Sequence, residues 1–482
     1  LLPAGAGGKQ VSFTASGSLS SGQTVALQSN GQVVAVSGQS ESIGSGNTFT
    51  TNQTSYVSGC YNENNDVVIV AYQDNGNSSY GTVVQGTISG NTISFGTPHV
   101  WRSDTVNWVS MATEPSSNHA VIAFQDGGPP YYANLARAVC VKLGSGNSIS
   151  GHTGPEVIED YLSSYFDVAY DTTNSKYIVA YRGSGSSSAY GTAAVGTRSG
   201  DYVSFGTPAV FQSSQCRFFS VSHDGASGKN LICFEDETNS GDGKAVVGTV
   251  SGTSISYGST TTFESTGAFG KVVRYSPDEQ KHLLVYRKYD GSNAIIGQIA
   301  TVSGTSVSFS ATTTLVSGSS NNYVTADYAP NIDKFVVIYA DSTASNYAKV
   351  FTADIAGGSI STGSTSTLLS AYGAYLKASY NSGDENIIVS YSNGGQSDRG
   401  ESLVYTPQSS NNTDFIGITD AAISSGSEGN VTIKGGISAS VTGLTPNTTY
   451  YVQLDGSLST TSSDVTAGKA LSATSINLDY SS

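Results

Sequence analysis

The pentapeptide VIVAY, ending at Tyr72, returns along the chain as AVIAF at Phe124, YIVAY at Tyr181, NLICF at Phe234, HLLVY at Tyr286, FVVIY at Tyr339 and, within NIIVSY, at Tyr391. Subtracting successive residue numbers gives steps of 52, 57, 53, 52, 53 and 52 residues. A second column keeps the same register. Eleven residues before each aromatic stand Tyr61, Thr113, Tyr170, His223, Tyr275, Tyr328 and Tyr380. Self-similarity at a fixed period means one structural unit repeated, each unit burying its neighbours.

The unit itself can be read. After the apolar run comes text such as YGTVVQGTISGNTISFGTP (80–98) or YGTAAVGTRSGDYVSFGTP (190–208), so each copy holds four β-rich runs separated by Gly, Ser, Asn or Asp turns. Four antiparallel strands per unit at a period near fifty predict a β-propeller, here of seven blades. Strands buried on both faces read as unbroken apolar runs, which accounts for YIVAY where a half-buried strand would alternate. A β-helix is excluded because its repeats are far shorter. Composition agrees: charged residues are 12% of the chain, too few for exposed helix faces, while 29 Tyr and 16 Phe supply a packed core. The fold class is therefore all-β.

The repeat does not fill the chain. The seventh copy runs to about residue 408 and lacks the SFGTP strand, whereas SESIGSGNTFTT (40–51) precedes the first copy and matches that strand in character. The expectation is a propeller over 40–408, closed by strand 40–51. Segments 1–39 and 409–482 carry hairpin text with Asn-Gly and Asp-Gly bends, in TVALQSNGQVVAVSG and TTYYVQLDGSLSTT. They are expected to build a small accessory β domain together.

Charge removes some functions. A net charge of −15 argues against nucleic acid as partner. No apolar run reaches the length of a membrane-crossing helix, so no membrane insertion is expected. Cys60, Cys140, Cys216 and Cys233 show no metal or redox spacing and read as buried free thiols. The five histidines have no ligand spacing, and no nucleophile elbow, phosphate loop or dinucleotide fingerprint is present, so no cofactor and no catalytic residue are assigned.

Two constellations remain. Two residues after the strand-ending aromatic stand Asp74, Asp126, Asp236 and Asp341, with Asn393 in another copy. They read either as turn caps or as an acidic ring that attracts a cation. The second copy departs from the rest in VWRSDTVNW (100–108) and QDGGPPYYANLAR (125–137), which hold both tryptophans. Trp101, Arg102, Trp108, Asp126, Tyr131 and Tyr132, with Asp104 nearby, are expected on one rim. There they would serve as a ligand-binding cluster or as packing between loops.

The C-terminal text FIGITDAAISSGSEGNVTIKGGISASVTGLTPNTTYYVQLDGSLSTT…AGKALSATSINL (415–477) resembles a module at the ends of marine bacteriophage tail-fibre and other virion appendage proteins. The opening LLPAGAGGKQVSFTASGSLSSGQTVALQSNGQVVAV is similar to stretches that precede such regions. The resemblance covers about a quarter of the chain and none of the propeller. It implies a non-enzymatic structural protein on a virion surface or otherwise extracellular, with other virion proteins and a host-surface glycan or protein as partners and a possible homo-oligomeric state. Two alternatives stand beside it: a secreted or cell-surface lectin-like adhesin, and a polysaccharide-degrading enzyme with paired carboxylates in a central funnel.

Overall fold

The computed structural model describes residues 9–128, 134–183, 189–318 and 323–478. Among these the regular structure is β-strand with short 3-10 turns and no α-helix. The chain divides into two compact units, one formed by Leu1–Ser42 with Pro407–Ser482 and the other by Ile43–Thr406.

In the larger unit each repeat copy builds a four-stranded antiparallel meander. In the first copy, Asn47–Asn62 pairs through its second half with Val67–Asp74, which pairs with Tyr80–Ser89. The fourth position is shared. Thr92–Phe95 pairs with the end of the third strand, and the start of His99–Thr113 pairs with its beginning. The intervening Gly-Thr-Pro is the break that the sequence motif SFGTP records. The second strand, carrying the VIVAY text, is buried at every position from Val67 to Asp74, because sheets cover it on both faces.

Long strands such as His99–Thr113 serve two copies. Their first half is the outer strand of one meander, and their second half is the inner strand of the next, with a register shift between Asn107 and Ser110. The last meander is completed by the N-terminal side of the chain. Asn47, Thr48, Thr50 and Gln53 pair with Ser402, Glu401, Gly400 and Arg399. Ser42–Ile43 pairs with the same strand, so the closing contacts begin inside the expected 40–51 and extend to Gln53. The architecture is an all-β propeller.

Two repeated devices hold the sheets together. The first is a hydroxyl on four of the inner strands. Ser58 Oγ accepts from the Met111 N–H at 3.1 Å, Ser110 Oγ from Val168 at 3.2 Å, Ser220 Oγ from Val273 at 3.0 Å and Thr325 Oγ1 from Ala378 at 3.1 Å. All four stand fourteen residues before the strand-ending aromatic. In the third copy Asp167 takes the role, its Oδ2 accepting from Val221 at 2.9 Å.

The second device is a large apolar side chain of the fourth strand laid across a glycine of the third. A Cβ on Gly81 would lie 2.5 Å from the Trp101 ring, on Gly191 2.5 Å from Phe211, on Gly243 2.3 Å from Phe263 and on Gly400 2.0 Å from Phe49. Trp101 thus has counterparts in other copies and is 2% exposed.

The smaller unit contains two five-stranded sheets. One has the order Gln10–Thr14, Glu428–Ile433, Phe415–Thr419, Thr24–Leu27, Val33–Ala35; the other is drawn from residues 437–478. Its core includes Val36, Phe415, Ile418, Leu444, Tyr450, Val452 and Ile476.

Candidate functional site: an aromatic mouth on the propeller axis

At the register shift near the start of the inner strand, one residue in six of the copies is forced into left-handed backbone geometry. It is Tyr56 (φ 51°), Trp108 (52°), Tyr165 (58°), Phe218 (51°), Gly270 (54°) and Tyr375 (52°). These stand sixteen residues before the strand-ending aromatics, a column completed by Tyr323 in the sixth copy. Bulky side chains avoid this conformation, which costs roughly 1–2 kcal/mol per residue for anything but glycine. The fifth copy has glycine there, and the neighbouring Phe269 supplies the ring.

The rings meet around an axis. Going from Tyr323 through Tyr375, Tyr56, Trp108, Tyr165 and Phe218 to Phe269, consecutive centroids lie 4.0 to 5.4 Å apart. All seven are partly exposed. They surround a cavity of about 360 Å3, at the end of the inner strands where Thr54 pairs with Asp74. That is also the face of the turns after the second strands.

The cavity's inner wall is charged. Lys271 replaces the apolar residue that other copies have at this position (Val57, Val109, Phe166, Phe219, Val324, Leu376). Its Nζ donates to the Phe218 carbonyl at 3.1 Å, and burial brings the ammonium down to about 8, against attraction from Glu235. Lys377 Nζ stands 3.6 Å from Asp167 Oδ1, and both residues also line a second cavity of about 200 Å3 with Arg274 and Asp327. In that chamber enclosure pushes the Asp327 carboxyl up, opposed by Arg274 at 3.5 Å. The aromatic mouth therefore rests on a floor of fixed charges.

The residues singled out by sequence are not brought into one cluster. Trp101 packs on Phe124 at 4.5 Å within the core of the first and second copies and presents no face to solvent. The reason is the repeat: it fills the slot above Gly81, so it is no departure from the pattern. Trp108 turns to the axis and joins the mouth. Arg102 does meet the acids, its Nε 3.0 Å from Asp126 Oδ1 and its Nη2 3.6 Å from Asp104 Oδ2. Tyr131 and Tyr132 lie outside the described residues.

The acidic ring resolves into separate local partnerships. Asp74 Oδ1 accepts from Asn52 at 2.8 Å; Asp126 holds Arg102. Asp341 Oδ1 accepts from the Thr343 N–H at 2.9 Å and hydroxyl at 2.6 Å, and Asn393 caps Gly395. Burial pushes the Asp236 carboxyl up, but Lys244, Thr238 and Ser214 outweigh it and hold it at about 2. Among the described residues no group of three or more His, Cys, Asp or Glu is placed to hold a metal ion. Asp126, Asp236, Asp341 and Asn393 cap turns, whereas Asp74 takes the Asn52 side chain instead.

All four cysteines are free, and burial pushes each thiol up to about 12. His223 faces Asp171 at 3.5 Å as a structural pair.

No family model matches the chain, and no curated protein does. Among solved structures, β-propellers match. The BP39L lectin from Burkholderia pseudomallei superimposes with a TM-score of 0.52 at 12% identity, covering 74% of this chain and 96% of its own. The periplasmic gluconolactonase PpgL of Pseudomonas aeruginosa gives 0.47 at 12% identity, covering 75% and 97% of the two chains, and the Dos1 propeller gives 0.44 at 12%, covering 83% and 95%. The likeness to the lectin shows the propeller fold and nothing finer.

Proposed function

We propose that this protein is a recognition protein that binds glycans through the aromatic mouth, and that it serves attachment to a cell surface as part of a virion appendage. The belt of seven half-buried rings around an open cavity carries the reading. Aromatic faces with polar rims suit pyranose rings, whose C–H faces stack while their hydroxyls take hydrogen bonds. The tyrosine hydroxyls and Lys271 supply polar partners. Five left-handed aromatics where glycine would sit without strain support a functional use of the rings, because strain persists where something else requires the side chain. The virion setting rests on the terminal resemblance, with a secreted or cell-surface adhesin as the alternative setting for the same mouth.

A binding role fits the cavity better than glycoside hydrolysis. Hydrolysis needs two facing carboxylates, and Asp167, the one carboxylate among the residues lining the mouth, is committed to Ser110, Val221 and Lys377.

Glycan-array screening followed by titration tests the reading. Trp108 is at the mouth and Trp101 is buried, so saccharide binding is expected to change the tryptophan emission through Trp108. Trp108→Ala and Tyr165→Ala are each expected to weaken binding about tenfold or more, as truncated hot-spot aromatics do. Glycan binding unchanged by both substitutions overturns the proposal. Peptide mapping of purified virions tests the setting, and absence of the chain from them would favour the adhesin.

A further inference from the structure

Beside the mouth, between the fourth and fifth copies, lies a second cavity of about 450 Å3 lined by Arg217, Glu235, Glu237, Phe269, Arg287 and Tyr289 among others. It is built of charge that the fold does not fully use. Arg217 is committed: its Nη2 is 2.7 Å from Glu235 Oε1 and its Nη1 is 3.0 Å from Glu237 Oε1, while Glu237 also holds Arg182. Arg287 is not. Its side chain lies between the rings of Phe269 (4.8 Å) and Tyr289 (5.6 Å), the residue is 8% exposed, and its Nε has no hydrogen-bond partner. Glu235 is 3% exposed, with Oε1 on Arg217 and Oε2 without a partner.

A buried guanidinium donor and a buried carboxylate acceptor left unsatisfied in one cavity each cost stability. Together they suit a ligand that brings an anion to the arginine and a hydroxyl to the glutamate. The surroundings select the sign. Lys271 adjoins Arg217 and Glu235, so four cations (Arg182, Arg217, Lys271, Arg287) stand against two carboxylates (Glu235, Glu237) in a chain of net charge −15. The third requirement is a face to stack. Tyr289 lines the cavity and is 65% exposed, so its ring is open to a ligand there.

We propose that this cavity is a subsite for the carboxylate of an acidic sugar, with Arg287 pairing the carboxylate, Glu235 accepting a ring hydroxyl and Tyr289 stacking on the sugar face. Arginine is suited to this because its planar fork matches a carboxylate in two parallel hydrogen bonds. A simple anion would leave Glu235 unanswered, and a neutral sugar would leave Arg287 unanswered. The subsite stands independently of the mouth, since none of its three groups is on the ring of left-handed residues.

Calorimetric titration of the full chain with glucuronate, glucose and acetate tests it. Glucuronate is expected to bind at least about tenfold more tightly than either of the others, as a desolvated charge pair plus a neutral contact requires. Arg287→Met is expected to bring glucuronate down to the level of glucose. Tyr289→Ala, an exposed substitution that leaves folding intact, is expected to weaken glucuronate several-fold. Trp108→Ala, at the mouth, is expected to leave glucuronate binding unchanged. The proposal is overturned if glucose or acetate binds as well as glucuronate, if Tyr289→Ala and Arg287→Met bind it as the native chain does, or if Trp108→Ala abolishes binding. A native chain that binds no glycan at the mouth yet binds glucuronate would overturn the proposed function and leave the subsite standing.

Discussion

At the scale of single residues, the mouth is a place where backbone and side chain want different amino acids. Trp108 has left-handed φ, which glycine tolerates freely, while its indole contacts Tyr56 and Tyr165 at 5.1 and 4.0 Å. Removing the ring loses those contacts in either replacement, but only glycine also relieves the backbone. Trp108→Gly is therefore expected to be more stable than Trp108→Ala by about 1 kcal/mol, the reverse of the usual order within strands. Denaturant melts of the two variants decide it, and alanine equal to or above glycine counts against strain at this position. This column was present in the sequence, sixteen residues before the aromatic that ends each apolar run, yet easy to miss because Tyr, Trp, Phe and Gly share no chemistry until the bulge makes them equivalent. Trp101 shows the converse. It looked distinctive for being a tryptophan, although the copies place Phe211, Phe263 and Phe49 in the same slot. His282 supplies a second residue-scale expectation. It is fully buried with neither ring nitrogen partnered, and burial brings it down to about 4, with Asp224 pulling the other way. The folded state thus binds fewer protons than the unfolded chain between pH 6.5 and about 4, so stability falls as pH falls through that window. The ceiling of the effect is about 3 kcal/mol. His282→Phe, which copies Phe335 at the matching position, is expected to flatten the pH dependence of Tm there; an unchanged slope assigns the acid sensitivity elsewhere.

At the scale of elements, neighbouring sheets are joined mostly by apolar packing, and direction is given by the inner-strand hydroxyls. Ser110 is 2% exposed and is the acceptor for the Val168 N–H. Ser110→Ala leaves that backbone donor buried and unpaired, at an expected cost of about 1–3 kcal/mol. Ser110→Thr, which retains the acceptor as Thr325 does in its own copy, should recover much of it. Equal melting midpoints for alanine and threonine would show that water replaces the hydroxyl. The same logic separates what sequence reveals about strands from what it reveals about sites. Strand text is legible because burial on two faces imposes a run of apolar residues at a constant period. The second-copy rim is expected from exceptions to that period, and among its described residues only Arg102, Asp104 and Asp126 come together, because charge pairs are local while the tryptophans belong to different packing layers. The cavity at Arg287 was not legible at all. Its members sit at 217, 235, 287 and 289, and only the packing of the fourth copy's sheet against the fifth's makes them neighbours.

At the scale of the molecule, the two units differ in how much of the chain each needs. The unit Ile43–Thr406 contains its own closing strand, since Asn47–Asn62 begins inside it and pairs with Arg399–Thr406. The smaller unit is made from both ends of the chain. Three strands of one of its sheets, Gln10–Thr14, Thr24–Leu27 and Val33–Ala35, come from the N-terminal side and flank Phe415–Thr419 and Glu428–Ile433. Within the core of that sheet Ala15, Leu19, Val25 and Val33 face Ile423 and Val431. A fragment 407–482 therefore exposes the apolar face and both edges of a two-stranded remnant, which is too little sheet for independent stability. It is expected to give no cooperative thermal transition and to aggregate, whereas fragment 43–406 melts cooperatively and keeps its Trp108 emission. Adding a peptide spanning residues 9–42 to 407–482 is expected to restore a transition by completing the sheet, with a midpoint that rises with peptide concentration by mass action. A cooperative melt of 407–482 alone would mean that the sheet drawn from residues 437–478 carries the unit without its N-terminal strands.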